Sequence, residues 1–263
     1  MNQFEFFKNY KDFASKVRYI SAKTLLQELK STQSIEVKKS LMLRIIEDLV
    51  SSTEDLAMWF VTIHSRNDGN KRFRDDWERI LATHIRETNE EATKILLGYT
   101  RIKTTDGFLK KMDFPKSKQL QEKLQVEESV VNNAVEAIRN TINLALQTRR
   151  DGQQIAVRFH NKVKHGMMVN SDASTNNSWV RDFSVRLTQG RRRVVRRNRN
   201  FEIPIDIDKA ELMVGTIKAN AQGIEALINL LLIDYEYRIS SGKIKMWSRN
   251  KERVLAEIKK ALV

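Results

Sequence analysis

The stretch VNNAVEAIRNTINLAL, residues 131–146, decides the fold class of this chain. Its apolar residues Val131, Val135, Ile138, Ile142 and Leu146 follow one another at steps of three and four, with mostly polar residues between them. On an α-helix that spacing puts the five side chains on one face, which can be buried while the opposite face meets water. The stretch therefore predicts a long amphipathic helix that packs against other helices.

The same helical period dominates the N-terminal half of the chain. An aromatic stripe predicts one long first helix that continues to Leu29. Its predicted inner face consists of Phe4, Phe6, Phe7, Tyr10, Phe13, Val17 and Ile20. Further helices are predicted to begin after a capping Ser34, at Ser52, and at residue 71.

A first sizeable connection is predicted over residues 99–115. Residues 104–107, with the sequence Thr-Thr-Asp-Gly, are typical of a turn. Pro115 suits the start of a helix, where its missing N–H would have no partner in any case. The helix that contains the opening stretch is therefore predicted to cover residues 116–150.

The spacing of apolar residues changes in the second half of the chain. A short helix is predicted over residues 153–165, and an Asn- and Ser-rich loop follows it at 171–178. Beyond the loop, five residues at every second position alternate with polar neighbours, and this spacing is typical of a half-buried strand. These residues are Trp179, Arg181, Phe183, Val185 and Leu187. A second alternating segment extends to Pro204, and the two together predict a β-hairpin at about residues 178–206.

These elements and two final helices, predicted over residues 209–239 and 247–262, define the fold class. We expect a mainly α protein, a helical bundle with an inserted basic β-hairpin. The chain forms either one compact domain or two regions, a helical region over residues 1–100 and a second over 116–263 that contains the hairpin.

The composition excludes several classes of protein and of site. Of the 263 residues 41% are hydrophobic, which is enough for a core, and no apolar run approaches the ~20 residues of a membrane-spanning helix. The absence of cysteine excludes disulfides, thiolate nucleophiles and cysteine-ligated metal sites. The N-terminal residues do not resemble a signal peptide, so we expect a cytoplasmic protein. The formal net charge of +14 indicates an anionic partner, most simply a nucleic acid.

The most informative polar residues lie in the segment RFHNKVKHG, residues 158–166. On a helix, Arg158, Asn161 and His165 fall within an arc of about 60° beside the apolar face. A histidine can transfer a proton near neutral pH, and an arginine can hold a phosphate through two hydrogen bonds. The three residues therefore suit the cleavage of a phosphodiester. The same spacing also suits a structural polar seam, in which these side chains bond to a neighbouring helix.

This segment also resembles a known family. Arg158, followed after six residues by His165, is similar to the Arg-x(4–6)-His motif of HEPN-like (higher eukaryotes and prokaryotes nucleotide-binding) domains. Residues 161–166 are similar to a bacterial version of that motif, Asn-Lys-x-Lys-His-Gly. Phe159 departs from the family, since most members have a polar residue directly after the arginine.

The resemblance implies a fold, an activity and a role for each motif residue. It implies an all-helical domain that forms a homodimer with both motifs at the interface. Many members cut RNA without a metal, as toxins or in phage defence, and a toxic activity implies an inhibitory partner protein; other members only bind. By the resemblance, His165 is the general acid or base, Arg158 grips the scissile phosphate and Asn161 orients the reacting groups.

An arginine-rich segment lies in the predicted hairpin. Between residues 186 and 200 there are seven arginines and no acidic residue. They are Arg186, Arg191, Arg192, Arg193, Arg196, Arg197 and Arg199. Like charges at this density repel one another unless an anion lies among them, and guanidinium groups suit phosphates and bases. We expect these arginines, with Lys162 and Lys164, to bind nucleic acid, RNA rather than DNA. An acidic partner protein and an exposed loop are the alternatives.

The sequence contains no motif typical of a metal or nucleotide cofactor site. His160 and His165 are five residues apart, whereas two metal ligands on one helix face stand four apart. We therefore expect no cofactor and no metal, and a mechanism in which a ribose 2′-hydroxyl attacks the adjacent phosphate. Three functions stay open: a metal-independent endoribonuclease, a non-catalytic nucleic-acid-binding or adaptor protein, and a helical interaction protein.

Overall fold

The structure is a computed structural model that describes residues 3–64, 89–152, 169–171, 178–180, 182–188, 191–197, 205–245 and 248–262. This part of the chain is mainly helical, as the sequence predicts. Its helices are α1 (Gln3–Asp12), a 3₁₀ helix (Ala14–Lys16), α2 (Val17–Ser31), α3 (Ile35–His64), α4 (Asn89–Thr100), α5 (Thr105–Lys111), α6 (Ser117–Leu124), α7 (Glu128–Gly152), α8 (Ile207–Ser240) and α9 (Ser248–Leu262). None of these helices is long and apolar enough to cross a membrane.

Four short strands are described by their backbone alone. They are β1 (Val169–Ser171), β2 (Ser178–Val180), β3 (Asp182–Thr188) and β4 (Arg191–Arg197). β1 pairs antiparallel with β2, and β3 pairs antiparallel with β4, in two separate sheets. The residues between β3 and β4 and those at 198–204 lie outside the described residues, as do the side chains of the strands. The inserted basic β-hairpin therefore stays a prediction.

The chain packs into two compact units, each assembled from separate segments. The first unit consists of Met1–Arg18, Ser52–Leu146 and Lys218–Val263, and the second of Tyr19–Ser51 and Gln147–Ile217. α3 and α8 each contribute residues to both units. The predicted organisation, with regions at 1–100 and 116–263 or one compact domain, stays a prediction.

The first unit has an apolar core in which aromatic rings contact one another. The ring centroids of Tyr10 and Trp59 lie 5.0 Å apart, and those of Phe60 and Tyr99 lie 5.1 Å apart. Phe108 of α5 extends the cluster, 5.2 Å from Tyr99. The predicted inner face of α7 is buried in the same core, namely Val131, Val135, Ile138, Ile142 and Leu146.

The second unit has a smaller apolar core of its own. α2, the first half of α3 and the first turns of α8 form it. Its members with no exposed surface are Ala22, Leu29, Ile45, Ala210 and Ile217. Polar contacts join the same helices. Ser21 Oγ of α2 donates a hydrogen bond to Asp48 Oδ2 of α3 at 2.9 Å, and Lys30 of α2 pairs with Glu211 of α8.

The prediction of one continuous first helix is wrong. The helix breaks at Phe13, whose φ of −132° and ψ of −62° lie outside the helical region, and a 3₁₀ turn follows. Phe13, Val17 and Ile20 are 68%, 42% and 54% exposed, so the buried aromatic stripe ends at Tyr10. The physical reason is that α1 packs on the core of the first unit, whereas α2 turns a different face, with Ala22 and Leu29, into the second core.

The predicted helix start at Ser52 is also wrong, because α3 runs through this position without interruption. Ser52 and Thr53 are buried, and their hydroxyl oxygens accept hydrogen bonds from Asn220 Nδ2 at 3.0 and 3.2 Å. Residues typical of a helix start thus bond to a distant helix instead. The predicted cap at Ser34 is confirmed, since its Oγ accepts a hydrogen bond from the Val37 N–H at 3.3 Å.

Two boundaries in the middle of the chain differ from the prediction. Residues 104–107 start α5 and are not a turn, because Thr104 Oγ1 accepts a hydrogen bond from the Gly107 N–H at 3.2 Å. The helix predicted at 116–150 is two helices, α6 and α7. Gln125 ends α6 in a left-handed conformation with a φ of 57°.

Two predicted helices fall partly or wholly on residues that the structure leaves undescribed. Of the helix predicted at 71–98, only the portion from residue 89 onward is described, as α4. The helix predicted at 153–165 lies outside the described residues.

Candidate functional site

The predicted catalytic residues lie outside the part of the chain that the structure describes. Arg158, Asn161 and His165 fall between α7 and β1, and Lys162 and Lys164 fall there with them. Their roles stay predictions.

Six of the seven predicted phosphate-binding arginines lie in strands whose backbone is described. Arg186 is in β3 and Arg199 is outside the described residues, while the other five are in β4. The register sets Arg186 opposite Arg193 and Leu187 opposite Arg192. Since successive positions of a strand alternate between its faces, one face of the ladder holds four arginine positions. These are Arg186, Arg191, Arg193 and Arg197.

A second concentration of positive charge lies near the end of the chain, in the first unit. Between residues 238 and 260 there are eight basic and two acidic residues. Four exposed basic side chains make up what we call the C-terminal basic surface: Lys243, Lys245, Arg253 and Lys260. None of them is among the sequence-predicted site residues, although the charge count over this segment would have indicated them.

The turn between α8 and α9 presents two of these lysines on a fixed backbone. Gly242 takes a left-handed φ of 74°, which allows the chain to reverse after α8. The Ile244 N–H then donates a hydrogen bond to the carbonyl oxygen of Arg238 at 3.0 Å. Lys243 and Lys245 are exposed on either side of that anchored residue.

α9 presents the other two basic side chains. Val254 and Ile258 are buried and hold the helix against the core of the first unit. Arg253 and Lys260 are exposed and stand seven residues apart, so they lie almost directly above one another, two turns apart. Burial raises the pKa of Glu236, and the positive charge of Lys259 offsets part of that rise. Because Lys259 interacts with this buried carboxyl group, it does not belong to the C-terminal basic surface.

A cavity of about 230 Å³ lies beside the same turn. Arg238 lines it, donating from Nε to Asp234 Oδ2 at 2.9 Å, with Nη2 3.6 Å from Asp113 Oδ2. Lys243 Nζ lies 5.4 Å from the centroid of the Tyr237 ring. The formal charges of these two aspartates, the arginine and the lysine cancel. The Arg238 contacts thus tie the segment after α5 to α8, a structural role that does not by itself favour an anionic ligand.

Within the described ranges, no group of three or more histidine, aspartate or glutamate side chains could hold a metal ion. No family model, curated protein or solved structure matches the chain. Its function is therefore inferred from its own residues.

Proposed function

We propose that this chain is a metal-independent endoribonuclease of the HEPN-like type. The observation that supports it is the spacing of Arg158, Asn161 and His165 in a chain whose described part is mainly helical. On the helix predicted at 153–165, steps of three and four residues would bring these side chains to one flank. The segment also resembles the HEPN-like motif, which adds the expectation of a homodimer.

The proposed reaction needs only the substrate, these side chains and water. The ribose 2′-oxygen forms a bond to the adjacent phosphorus, and the bond from phosphorus to the 5′-oxygen of the next nucleotide breaks. His165 takes the proton of the 2′-hydroxyl or delivers one to the leaving 5′-oxygen, and water supplies or accepts the other proton. Arg158 holds the phosphate as its negative charge grows, and Asn161 orients the reacting groups. The products are a 2′,3′-cyclic phosphate and a 5′-hydroxyl end, and DNA is not a substrate because it lacks the nucleophile.

The arginines of the predicted hairpin would hold the RNA. Four of them share one face in the register of β3 with β4, which suits contact with several phosphates of one strand. Lys162 and Lys164 would add charge beside the reacting phosphate. Following the resemblance, we place the activity in the bacterial cytoplasm, in a toxin or phage-defence system with an inhibitory partner protein.

Cleavage of labelled RNA in the presence of a chelator tests this function. We expect the wild type to cut RNA and to leave a cyclic phosphate, and we expect His165→Ala and Arg158→Ala each to reduce the rate by about 10²–10⁴-fold. His160→Ala is the matched control, because His160 falls on the opposite flank of the same predicted helix, and it should retain the activity. Circular dichroism shows whether each variant keeps its helical content. Undiminished cleavage by a folded His165→Ala variant would refute the proposal.

The second candidate is a non-catalytic nucleic-acid-binding protein. The departure at Phe159 favours it, and so does a net charge of +14 that accounts for RNA binding without any chemistry. Salt-dependent binding of RNA by the wild type, with no cleavage under any condition, would support this candidate over the nuclease.

A further inference from the structure

We propose that the C-terminal basic surface is a second phosphate-binding surface, which contacts the backbone of the same RNA. The inference rests on the proposed RNA-binding function and adds to it a contact that the predicted hairpin does not supply. Lys243 and Lys245 of the turn and Arg253 and Lys260 of α9 would each bind a phosphate oxygen.

The first argument is that positive charge predominates in this segment of the chain, because residues 238–260 contain eight basic and two acidic residues. None of the four residues of the surface forms an ion pair with a described carboxylate. This holds also for the two acidic residues of α9, Glu252 and Glu257. Exposed like charges concentrated in one segment repel, and an anion that binds among them relieves the repulsion.

The second argument is that the surface is arranged in advance of binding. The turn is anchored by the hydrogen bond from Ile244 to Arg238, and α9 is anchored by Val254 and Ile258. The backbone therefore loses little freedom when an anion binds, and only the side chains must become ordered. Arg253 and Lys260 are separated by about 10 Å along the helix axis, a span that a polynucleotide backbone covers within a few nucleotides.

The third argument concerns the kind of anion. Lys243 lines the cavity beside the turn, where Asp113 and Asp234 balance its charge and that of Arg238. Lys245, Arg253 and Lys260 are not among the lining residues of that cavity and are distributed over the turn and α9. An extended polyanion matches this arrangement better than a single small phosphate does, and contacts of this kind bind without reading base sequence.

The experiment measures binding of the full chain to a labelled single strand of 2′-O-methyl RNA, which the proposed mechanism cannot cut. Two double variants each remove two charges, Lys243→Gln with Lys245→Gln and Arg253→Gln with Lys260→Gln. The matched control, Lys8→Gln with Lys23→Gln, removes the same charge from exposed lysines of α1 and α2. Dissociation constants are measured over a series of salt concentrations, and circular dichroism checks folding.

We expect each test variant to reduce the slope of log affinity against log salt by about 1.4, since each contact to a single strand contributes about 0.7. The control should keep the wild-type slope. A wild-type slope in both test variants overturns the proposal, and so does an equal loss in the control, because it would reflect net charge alone.

Failure of this inference and failure of the proposed function give different results. Test variants that bind as the wild type does, while His165→Ala abolishes cleavage, reject the second surface and keep the nuclease. RNA binding that depends on the C-terminal residues, with no cleavage by the wild type, keeps the surface and rejects the nuclease.

Discussion

Buried polar groups mark the places where α8 meets its neighbours within the first unit. Asn220 donates hydrogen bonds to Ser52 Oγ and Thr53 Oγ1 of α3. On another side, Thr141 Oγ1 of α7 lies 3.3 Å from the carbonyl oxygen of Ala219. A buried polar group that loses its partner costs about 1–3 kcal/mol, so a sliding movement of α8 would be penalised at the contacts of Asn220. Thr141 Oγ1 also donates to the carbonyl oxygen of Ala137 in its own helix, at 2.9 Å, and would keep that partner. The hydrogen bonds of Asn220 therefore specify how the helices are aligned along one another.

A glycine permits one of these close contacts. A Cβ atom at position 223 would lie 2.5 Å from Thr141 Cγ2, whereas a Cβ atom at Gly215 of the same helix would meet nothing within 4 Å. We expect Gly223→Ala to lower the free energy of unfolding by about 1–3 kcal/mol, because overpacking outweighs the gain of about 1 kcal/mol in helix propensity. Urea unfolding followed by circular dichroism measures the change.

The control for that prediction is Gly215→Ala. With open space around the new methyl group, we expect it to raise the free energy of unfolding by up to about 1 kcal/mol. Changes of the same sign and size at both positions would show that the contact with Thr141 does not constrain the helix.

At the scale of secondary-structure elements, α8 begins with a charged cap. Asp206 Oδ1 accepts a hydrogen bond from the Lys209 N–H at 3.1 Å, and this backbone hydrogen bond is the main reason why the pKa of Asp206 is lowered. The Lys209 ammonium, 3.3 Å from Asp206 Oδ2, acts in the same direction. In the sequence, Asp206 and Asp208 are both residues that can cap this helix, and the structure confirms Asp206. The cap links the stability of α8 to pH.

A carboxylate whose pKa is lower in the folded than in the unfolded chain stabilises the fold at pH values above its pKa in the unfolded chain. That contribution disappears as the pH falls through the folded pKa. Asp206→Asn keeps a good capping residue and removes only the charge. We expect the wild type to be more stable than this variant at neutral pH, and the difference to disappear in strong acid. Urea midpoints of both proteins over this pH range measure it, and a difference that does not vary with pH would contradict the prediction.

At the scale of the whole molecule, apolar burial is concentrated in two cores, one inside each unit. Ile142 of α7 belongs to the core of the first unit and Ile45 of α3 to that of the second, and neither has exposed surface. Ile20 of α2, which the sequence places on a buried stripe, is 54% exposed. The sequence pattern therefore predicts burial for Ile20 that the structure does not show, and the effect of truncating each isoleucine on stability can test this.

We expect Ile142→Ala and Ile45→Ala each to lower the free energy of unfolding by about 2–5 kcal/mol, because each leaves a cavity in its core. Ile20→Ala should change it by less than about 0.5 kcal/mol, as is usual for exposed positions. Chemical denaturation of the three variants makes the comparison. A loss at Ile20 as large as that at Ile142 would mean that the first helix buries its whole predicted stripe.

The helix boundaries show why part of the fold could not be predicted. Gln125 ends α6 in a left-handed conformation that glycine or asparagine would have indicated, but glutamine carries no such preference. Ser52 and Thr53 look like a helix start because hydroxyl residues favour caps, yet Asn220 satisfies them inside a continuous helix. In both cases the local residue types predict a different local structure, and a tertiary contact or a strained backbone overrides it.

The sequence by itself determined the helical class, the caps at Ser34 and Asp206, the spacing of Arg158 and His165, and the positive charge. These properties depend on residue identity and on neighbours within a few positions, so they can be derived without a fold. Only the tertiary structure decided which helices share a core and which basic side chains are left exposed without a described carboxylate. Those outcomes depend on residues far apart in the chain, such as Ser52 and Asn220, which are 168 positions apart and yet hydrogen-bonded.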